Sequence, residues 1–407
     1  MGLNLAVVSD IHVGSAARAR DLDPQDCGKG VRDDDYVSRF VEYCRNNNIR
    51  ADFLIVPGDI TNRATPDEFQ LASRRLVELA SGLEVPEDRI LFVPGNHDVD
   101  WSVLKSDPPD KSGFRFAQRY QPLSQPNCIF STILQKSSYG TVTDKPYFCL
   151  WDLPEMLVVG HNSALHDKPD STVHHGLIPQ ESLLKLDEVL SRHPIEETRA
   201  RLMIVHHHPL QYSDPIPNEP DFSAMTNAEA LLKLLAKHKF DLLIHGHKHK
   251  PNFNIHLIDS YFAIPILGAG SFSYQLDSRW NGLVNNQFHH VEIHDRDPSD
   301  ARLRGCLHSY TYLCGHGWRQ SRDHNGIDHC IYFGGLASEG QLLPLLRSTI
   351  SAELRQRSYV RWNEVSELHK ELLYVPRKLL IQCLKTLQSD LGYTLYDSDA
   401  NNMLLLR

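Results

Sequence analysis

Five short apolar runs in this chain are each followed directly by a loop carrying Asp, Asn or His, and that recurrence limits the fold more than any other feature. They are LNLAVVSDIH (3–12), DFLIVPGDI (52–60), ILFVPGNHD (90–98), RLMIVHHHP (201–209) and DLLIHGHKH (241–249). A β-rich run closed by Gly, Pro or a polar cluster reads as a buried strand delivering its next residues into a loop. Between the second and third runs, PDEFQLASRRLVELASGL (66–83) puts Phe69, Leu71, Leu76, Val77 and Leu79 at helical spacing, with Gly82 as the expected stop. Ahead of the fifth, NAEALLKLLAKHKF (227–240) begins on an Asn placed as a helix cap. Strands alternating with helices predict an α/β fold with helices on the faces of a sheet. Residues at the carboxyl ends of such strands meet in space although they are far apart in sequence.

The residue types at those ends point to metal chemistry. Asp10, His12, Asp59, Asn96, His207, His247 and His249 offer imidazole nitrogens with carboxyl and amide oxygens, and no thiolate. Such a set suits divalent Mn, Fe, Zn or Ni. Seven donors exceed one tetrahedral site, so two ions sharing a carboxylate are expected, an arrangement suited to phosphoryl chemistry. Gly58, Gly95 and Gly246 each precede a proposed ligand, where a tight turn needs backbone freedom.

The ordered blocks D-x-H (Asp10, His12), GD (Gly58, Asp59), GNHD (Gly95 to Asp98), HHP (His207 to Pro209) and GHKH (Gly246 to His249) resemble the calcineurin-like metallophosphoesterase superfamily, over roughly residues 1–275. The resemblance implies a two-sheet αββα sandwich that hydrolyses phosphate esters by a metal-bound hydroxide. It places one ion on Asp10, His12, Asp59 and His249, and a second on Asp59, Asn96, His207 and His247. His97 would orient phosphate and protonate the leaving alkoxide, with Asp98 holding its ring. Counting back from Pro209 selects His207 among the three consecutive histidines. Strand alternation then turns His206 away and leaves His208 at the edge of the site. The connection after the second block and the HHP block are similar to the branch containing cyclic-nucleotide and glycerophosphodiester phosphodiesterases. The substrate is therefore expected to be a phosphodiester, with a nucleotide as one option. Loop residues His161, Asn162 and His166 are candidates to line the substrate cleft. A metal-dependent nuclease is the alternative, and an inactive scaffold a further one.

Two segments depart from that pattern. Residues 101–146 form an insertion, expected as a lid, in which Phe114, Phe116, Tyr120, Phe130 and Tyr139 are interspersed with Arg115, Arg119 and Lys136; these either stack a base or pack the insertion onto the body. Residues 339–407 read as three helices and a hairpin turning near Asp399 to Asn402, the order of a winged helix. We therefore read 1–338 as the phosphoesterase domain and 339–407 as a winged-helix-like module. From 345 to 407 nine Lys or Arg stand against seven Asp or Glu, which favours a protein partner or self-association over nucleic acid, though nucleic acid stays open. Strand-like runs between Asp259 and Phe333 are expected to supply the second sheet.

Composition fits an ordinary globular protein, 41% hydrophobic and 23% charged. A net charge of −9 argues against general affinity for nucleic acid. The start, MGLNLAVVSD, has neither the basic leader of a signal peptide nor Ser or Thr at position 6 for myristoylation. No apolar run approaches the roughly 18 residues of a membrane span, so no membrane association is expected. The eight cysteines form no CxxC pair and are expected as reduced thiols in a cytoplasmic protein. Cys314, His316, His324, His329 and Cys330 match no zinc-finger spacing.

Overall fold

The computed structural model describes residues 2–23, 35–101, 103, 116–125, 128–167, 174–212, 221, 223–258, 262–276, 284–298, 301–322, 327–335, 338–397 and 403–406. In chain order the elements are β1 (Leu3–Val7), α1 (Tyr36–Asn46), β2 (Phe53–Val56), α2 (Pro66–Gly82), β3 (Ile90–Phe92), α3 (Phe116–Arg119), α4 (Ile129–Gln135), β4 (Phe148–Asp152), β5 (Met156–His161), α5 (Gln180–Leu190), β6 (Ala200–Ile204), α6 (Ala228–Lys237), β7 (Leu242–His245), β8 (Asn252–Leu257) and β9 (Ala263–Gly268). Then follow β10 (Gln287–Arg296), β11 (Leu303–Leu313), β12 (Gly317–Gln320), β13 (Cys330–Phe333), α7 (Glu339–Gln356), β14 (Tyr359–Arg361), α8 (Trp362–Leu368), α9 (Arg377–Leu391), β15 (Thr394–Asp397) and β16 (Met403–Leu406).

Two compact units result, the larger holding Leu3–Val291 and Ser309–Ile327. One sheet has the order β12-β11-β10-β1-β2-β3 with β13 beside β11, the other β4-β5-β6-β7-β9-β8. β1, β2 and β3 run parallel, as do β5, β6, β7 and β9. FLIV of β2, ARLMI of β6 and LLIH of β7 are buried at every position. Strands without polar alternation need cover on both faces. On the second sheet one cover is α5 and α6, whose Leu183, Leu186, Leu231 and Leu235 pack on Leu157, Met203, Leu243 and Ile266. The fold is a mixed α/β architecture built on two sheets, as expected from the sequence.

Two local expectations change. The C-terminal strands do not build the second sheet: β10 to β13 complete the first, and β8 and β9 close an edge of the other. α2 begins in a capping box, Glu68 N donating to Thr65 Oγ1 and Thr65 N to Glu68 Oε2. Gly82 is its last residue, as expected, and a Cβ there would come within 2.5 Å of Val41 Cγ2, so the glycine also allows close packing of α1 and α2. Asn227 does not cap α6 with its side chain; its amide exchanges hydrogen bonds with the backbone of Ile178.

The described part of the insertion packs inward. Tyr120, Leu123, Phe130 and Ile133 are buried, with Phe130 edge-on to Phe69 and Phe92. Arg119 donates to the Leu165 carbonyl and Lys136 pairs with Asp88. Tyr139 stacks on Phe148. These side chains thus fasten the insertion to the body, while Phe114 and Arg115 lie outside the described residues.

The smaller unit comprises Met1–Gly2, Glu292–His308 and Asp328–Arg407. α7, α8 and α9 surround a core of Leu346, Ile350, Val365, Leu380, Leu384, Leu387 and Leu405, beside a sheet of order β14-β16-β15. α9 follows Pro376 and ends at Gly392, whose φ of 66° is the left-handed conformation of a helix stop. The expected turn at Asp399 to Asn402 lies outside the described residues. The seven described cysteines are free thiols. No described helix is long and apolar enough to cross a membrane.

Candidate metal centre

All seven expected donors but one converge. Asp10 and His12 follow β1, Asp59 follows β2, Asn96 follows β3, and His247 and His249 follow β7, so both sheets contribute. Five of these residues adopt left-handed backbone, with φ of 49° at Asp10, 51° at His12, 49° at Asp59, 75° at His247 and 55° at His249. Outside glycine that conformation is uncommon, and its clustering marks a place where surrounding structure holds residues against local preference.

The donor atoms form two groups. In one, His12 Nε2 is 3.5 Å from Asp59 Oδ2 and 3.2 Å from His249 Nε2, and His249 Nε2 is 3.3 Å from Asp10 Oδ1. In the other, His206 Nε2 is 3.3 Å from Asp59 Oδ2 and 3.0 Å from Asn96 Oδ1. His247 Nδ1 lies 3.0 Å from the same Asn96 oxygen and 3.1 Å from His206 Nε2. Asp59 belongs to both. Ligands about 2.0–2.2 Å from an ion stand roughly 3–3.5 Å from one another, so these spacings fit two cations sharing Asp59. Facing ring nitrogens and carboxylate oxygens cannot all be joined by hydrogen bonds, and a cation reconciles them.

Here one expectation is corrected. His206, not His207, reaches Asp59, Asn96 and His247. Its Nδ1 donates to the Pro57 carbonyl at 2.8 Å, which leaves the Nε2 lone pair for the ion. His207 turns to Ser163: Ser163 Oγ accepts from the backbone N–H of His206 and His207, so its own proton goes to His207 Nδ1 at 3.0 Å. The His207 proton must then sit on Nε2, a buried donor without a protein partner. That ring lies 4.3 Å from the ring of His247, centre to centre.

The polarity of the pocket supports the fit. Although burial opposes it, the imidazoles of His206, His97 and His12 hold the Asp59 carboxyl well below the usual range. Against burial, Asp59 and Asp10 push His206 up to about 9, so a positive charge is wanted where its Nε2 points. Burial pushes His12 and His247 well below the ordinary histidine value, keeping those rings neutral as ligands require.

A sequence model of the calcineurin-like phosphoesterases matches residues 3–251. The chain belongs to that family. The family is that of the phosphoesterases, and the two donor groups sharing Asp59 could each hold a metal ion. No curated protein sequence matches the chain. Similar solved structures include purple acid phosphatase PPD1 from yellow lupin seeds, 11% identical over 82% of this chain and 54% of that one, with a TM-score of 0.49. The phosphoesterase thus spans about half the length of that protein. Vacuolar protein sorting 29 of Cryptosporidium parvum is 10% identical over 82% of this chain and 98% of that one, with a TM-score of 0.36. Phosphopantetheinyl hydrolase of Mycobacterium tuberculosis is 13% identical over 66% and 89%, with a TM-score of 0.33.

Around the phosphoesterase centre, His97 N donates to Asp59 Oδ1 at 2.9 Å and its Nδ1 donates to the Asn62 carbonyl at 3.0 Å. Asp98 does not hold that ring. Its carboxylate accepts from the N–H groups of Ile60, Thr61 and Gly95 and from Thr61 Oγ1, so it braces the two loops that carry Asp59 and Asn96. His208 is drawn off by Asp221 at 2.8 Å, which also pairs with Lys248 at 2.8 Å. His161 bonds Ser182 at 2.7 Å, and Asn162 bonds the backbone of Val142 and Ala164. Both are thus engaged in structural bonds, while His166 is exposed. Sequence reasoning missed Trp101, whose Nε1 donates to the Asn96 carbonyl and whose ring stacks on His174, and His174 itself, paired with Asp167 at 2.8 Å. No motif marks either residue.

Gly58 explains the approach of His206. Its φ is 98°, and a Cβ there would stand 2.4 Å from His206 Nδ1. Gly58→Ala is expected to displace His206 and lower bound metal from two ions toward one per chain, at a cost of about 1–2 kcal/mol in stability. Metal analysis alongside thermal unfolding checks this; two ions retained in a folded variant would refute it.

Proposed function

We propose that this phosphoesterase cleaves phosphodiesters, with Asp10, His12, Asp59 and His249 holding one ion and Asp59, Asn96, His206 and His247 the other. The observation that carries this reading is the convergence of both donor groups on the single Asp59 carboxylate, at the spacing divalent ions impose. When bound, two such ions supply a nucleophile from water at neutral pH and neutralise charge on the phosphoryl oxygens. The donors suit Mn, Fe, Zn or Ni.

The protein's own groups complete the chemistry. His97 keeps Nδ1–H on the Asn62 carbonyl, so Nε2 is its proton-handling atom. We assign it to the leaving alkoxide. His207, with Nε2–H as an unpartnered buried donor, is assigned to a phosphoryl oxygen. His97→Asn should lower turnover of alkyl diesters about 10²–10⁴-fold. It should cost far less with a p-nitrophenolate leaving group, which departs without a proton. Equal losses on both substrates would remove His97 from that role.

Diester preference is supported by the second and fourth sequence blocks and their likeness to the cyclic-nucleotide and glycerophosphodiester branch. A nucleotide substrate would find an aromatic face at Trp101. Residues 339–407 are read as a winged-helix-like module contacting protein, since their near balance of charge gives nucleic acid little to hold. Free thiols at the described cysteines support a cytoplasmic setting. Metal-loaded protein assayed on bis-p-nitrophenyl phosphate, p-nitrophenyl phosphate, cyclic nucleotides and single-stranded DNA tests the reading. Diester turnover is expected to exceed monoester turnover. Cleavage of DNA alone would replace this reading with a nuclease.

A further inference from the structure

Outside the dinuclear centre, one other group of metal-ligating side chains stands together among the described residues. Cys306, His308 and Cys330 place donor atoms within 4.8 Å of one another, and Cys306 Sγ is 3.2 Å from Cys330 Sγ. The register of the strands explains the meeting. Cys306 and His308 lie two apart on β11 and so share a face. β13 pairs antiparallel to β11 with Cys330 opposite His308 and Tyr332 opposite Cys306, which sets Cys330 diagonal to Cys306. A fourth donor is at hand: Glu292 Oε1 of β10 is 3.3 Å from His308 Nε2.

We propose that Cys306, His308 and Cys330 form a mononuclear site for a zinc-class ion, with Glu292 in the fourth position. Two thiolates, one imidazole and a carboxylate are a tetrahedral zinc set, with metal–sulfur distances of about 2.3 Å and metal–nitrogen distances of about 2.0–2.1 Å. Such lengths separate the ligands by roughly 3.4–3.8 Å, so the sulfurs need move apart by only a few tenths of an ångström. A disulfide would give no role to the imidazole and carboxylate gathered beside the sulfurs. Cys306 is buried while His308 and Cys330 are half-buried, so the ion can enter without unfolding the strands. Once bound, it fastens β13 to β11 just before the chain passes into α7. Sequence spacing concealed the site, because Cys330 lies 22 positions after His308 and β12 lies between them.

Cobalt(II) added to the full-length, metal-depleted and reduced protein distinguishes this site from the dinuclear centre, which holds no thiolate. Thiolate-to-cobalt charge-transfer absorption should appear in the wild type and saturate at one equivalent of thiolate-bound ion. Cys306→Ser and Cys330→Ser should each abolish it, His308→Ala should weaken cobalt binding at least about 10-fold, and Cys314→Ala, at an exposed thiol, should leave it unchanged. Cys330→Ser should retain wild-type turnover of bis-p-nitrophenyl phosphate. The proposal is overturned if wild-type protein shows no such absorption, if the band survives both serine variants, or if peptide mapping of unreduced protein finds Cys306 joined to Cys330. Each result stands whatever the substrate of the dinuclear centre proves to be.

Discussion

Asp59→Asn is expected to lower kcat/KM on bis-p-nitrophenyl phosphate about 10³-fold or more and to strip metal from both positions. One carboxylate oxygen, Oδ2, lies 3.5 Å from His12 Nε2 and 3.3 Å from His206 Nε2, so it serves both groups at once. An amide of the same size preserves packing and the hydrogen bond accepted from His97 N, but removes the charge the two ions share. Charge stabilisation by bound ions is worth several kcal/mol at the transition state, and each ~1.4 kcal/mol is tenfold in rate. Wild-type protein should also gain thermal stability on adding Mn, because an ion that binds only the folded state stabilises it. The variant should lose that gain. Near-normal turnover with two ions retained would show that Asp59 does not bridge.

The second large effect separates two adjacent histidines. His206→Ala should remove the second ion and reduce turnover on the order of 10³-fold, since it withdraws a nitrogen facing both Asp59 and Asn96. His207→Ala should keep both ions bound. It should lower turnover by about 10–100-fold, the cost of one hydrogen bond to a charged phosphoryl oxygen. Metal content of the two purified variants decides between them: loss of an ion from His207→Ala alone would reverse the assignment. Ser163→Ala offers a milder check: it frees the His207 ring tautomer and also removes the acceptor of the His206 and His207 N–H groups, while leaving the His206 ring bonded to the Pro57 carbonyl.

Much of the centre was legible in the linear chain because of where it sits. Strands β2 and β3 are apolar throughout and β1, β6 and β7 mostly so, and each leads within a few residues to Asp, Asn or His. That pattern places Asp10, His12, Asp59, Asn96, His247 and His249 without knowledge of any contact. What it does not carry is the orientation of a side chain relative to a neighbouring sheet. The family resemblance implies Asp98 as the partner of the His97 ring, yet its oxygens are taken by the N–H groups of Ile60, Thr61 and Gly95. His208 reads as a site residue by proximity, yet Asp221, 13 residues on, draws it away. Trp101 and His174 border the centre through parallel rings from separate loops. Side chains paired across such loop separations leave no periodic trace.

The three consecutive histidines mark the division most sharply. The sequence by itself determined that a strand ends at this point, that imidazole is delivered into a metal centre, and that neighbouring side chains alternate in direction. Which of them turns inward was decided only by tertiary structure. β6 is locked between β5 and β7 in a register that pairs Ile204 with Gly160 and with Ile244, and a slip of one residue would exchange every face. Closure of Pro57 on His206 Nδ1 and of Ser163 on His207 Nδ1 then leaves the Nε2 lone pair of the first histidine facing Asp59 and Asn96, and makes Nε2–H of the second a buried donor. The same reason governs Cys306, His308 and Cys330, because strand register brings together donors that the linear spacing keeps apart.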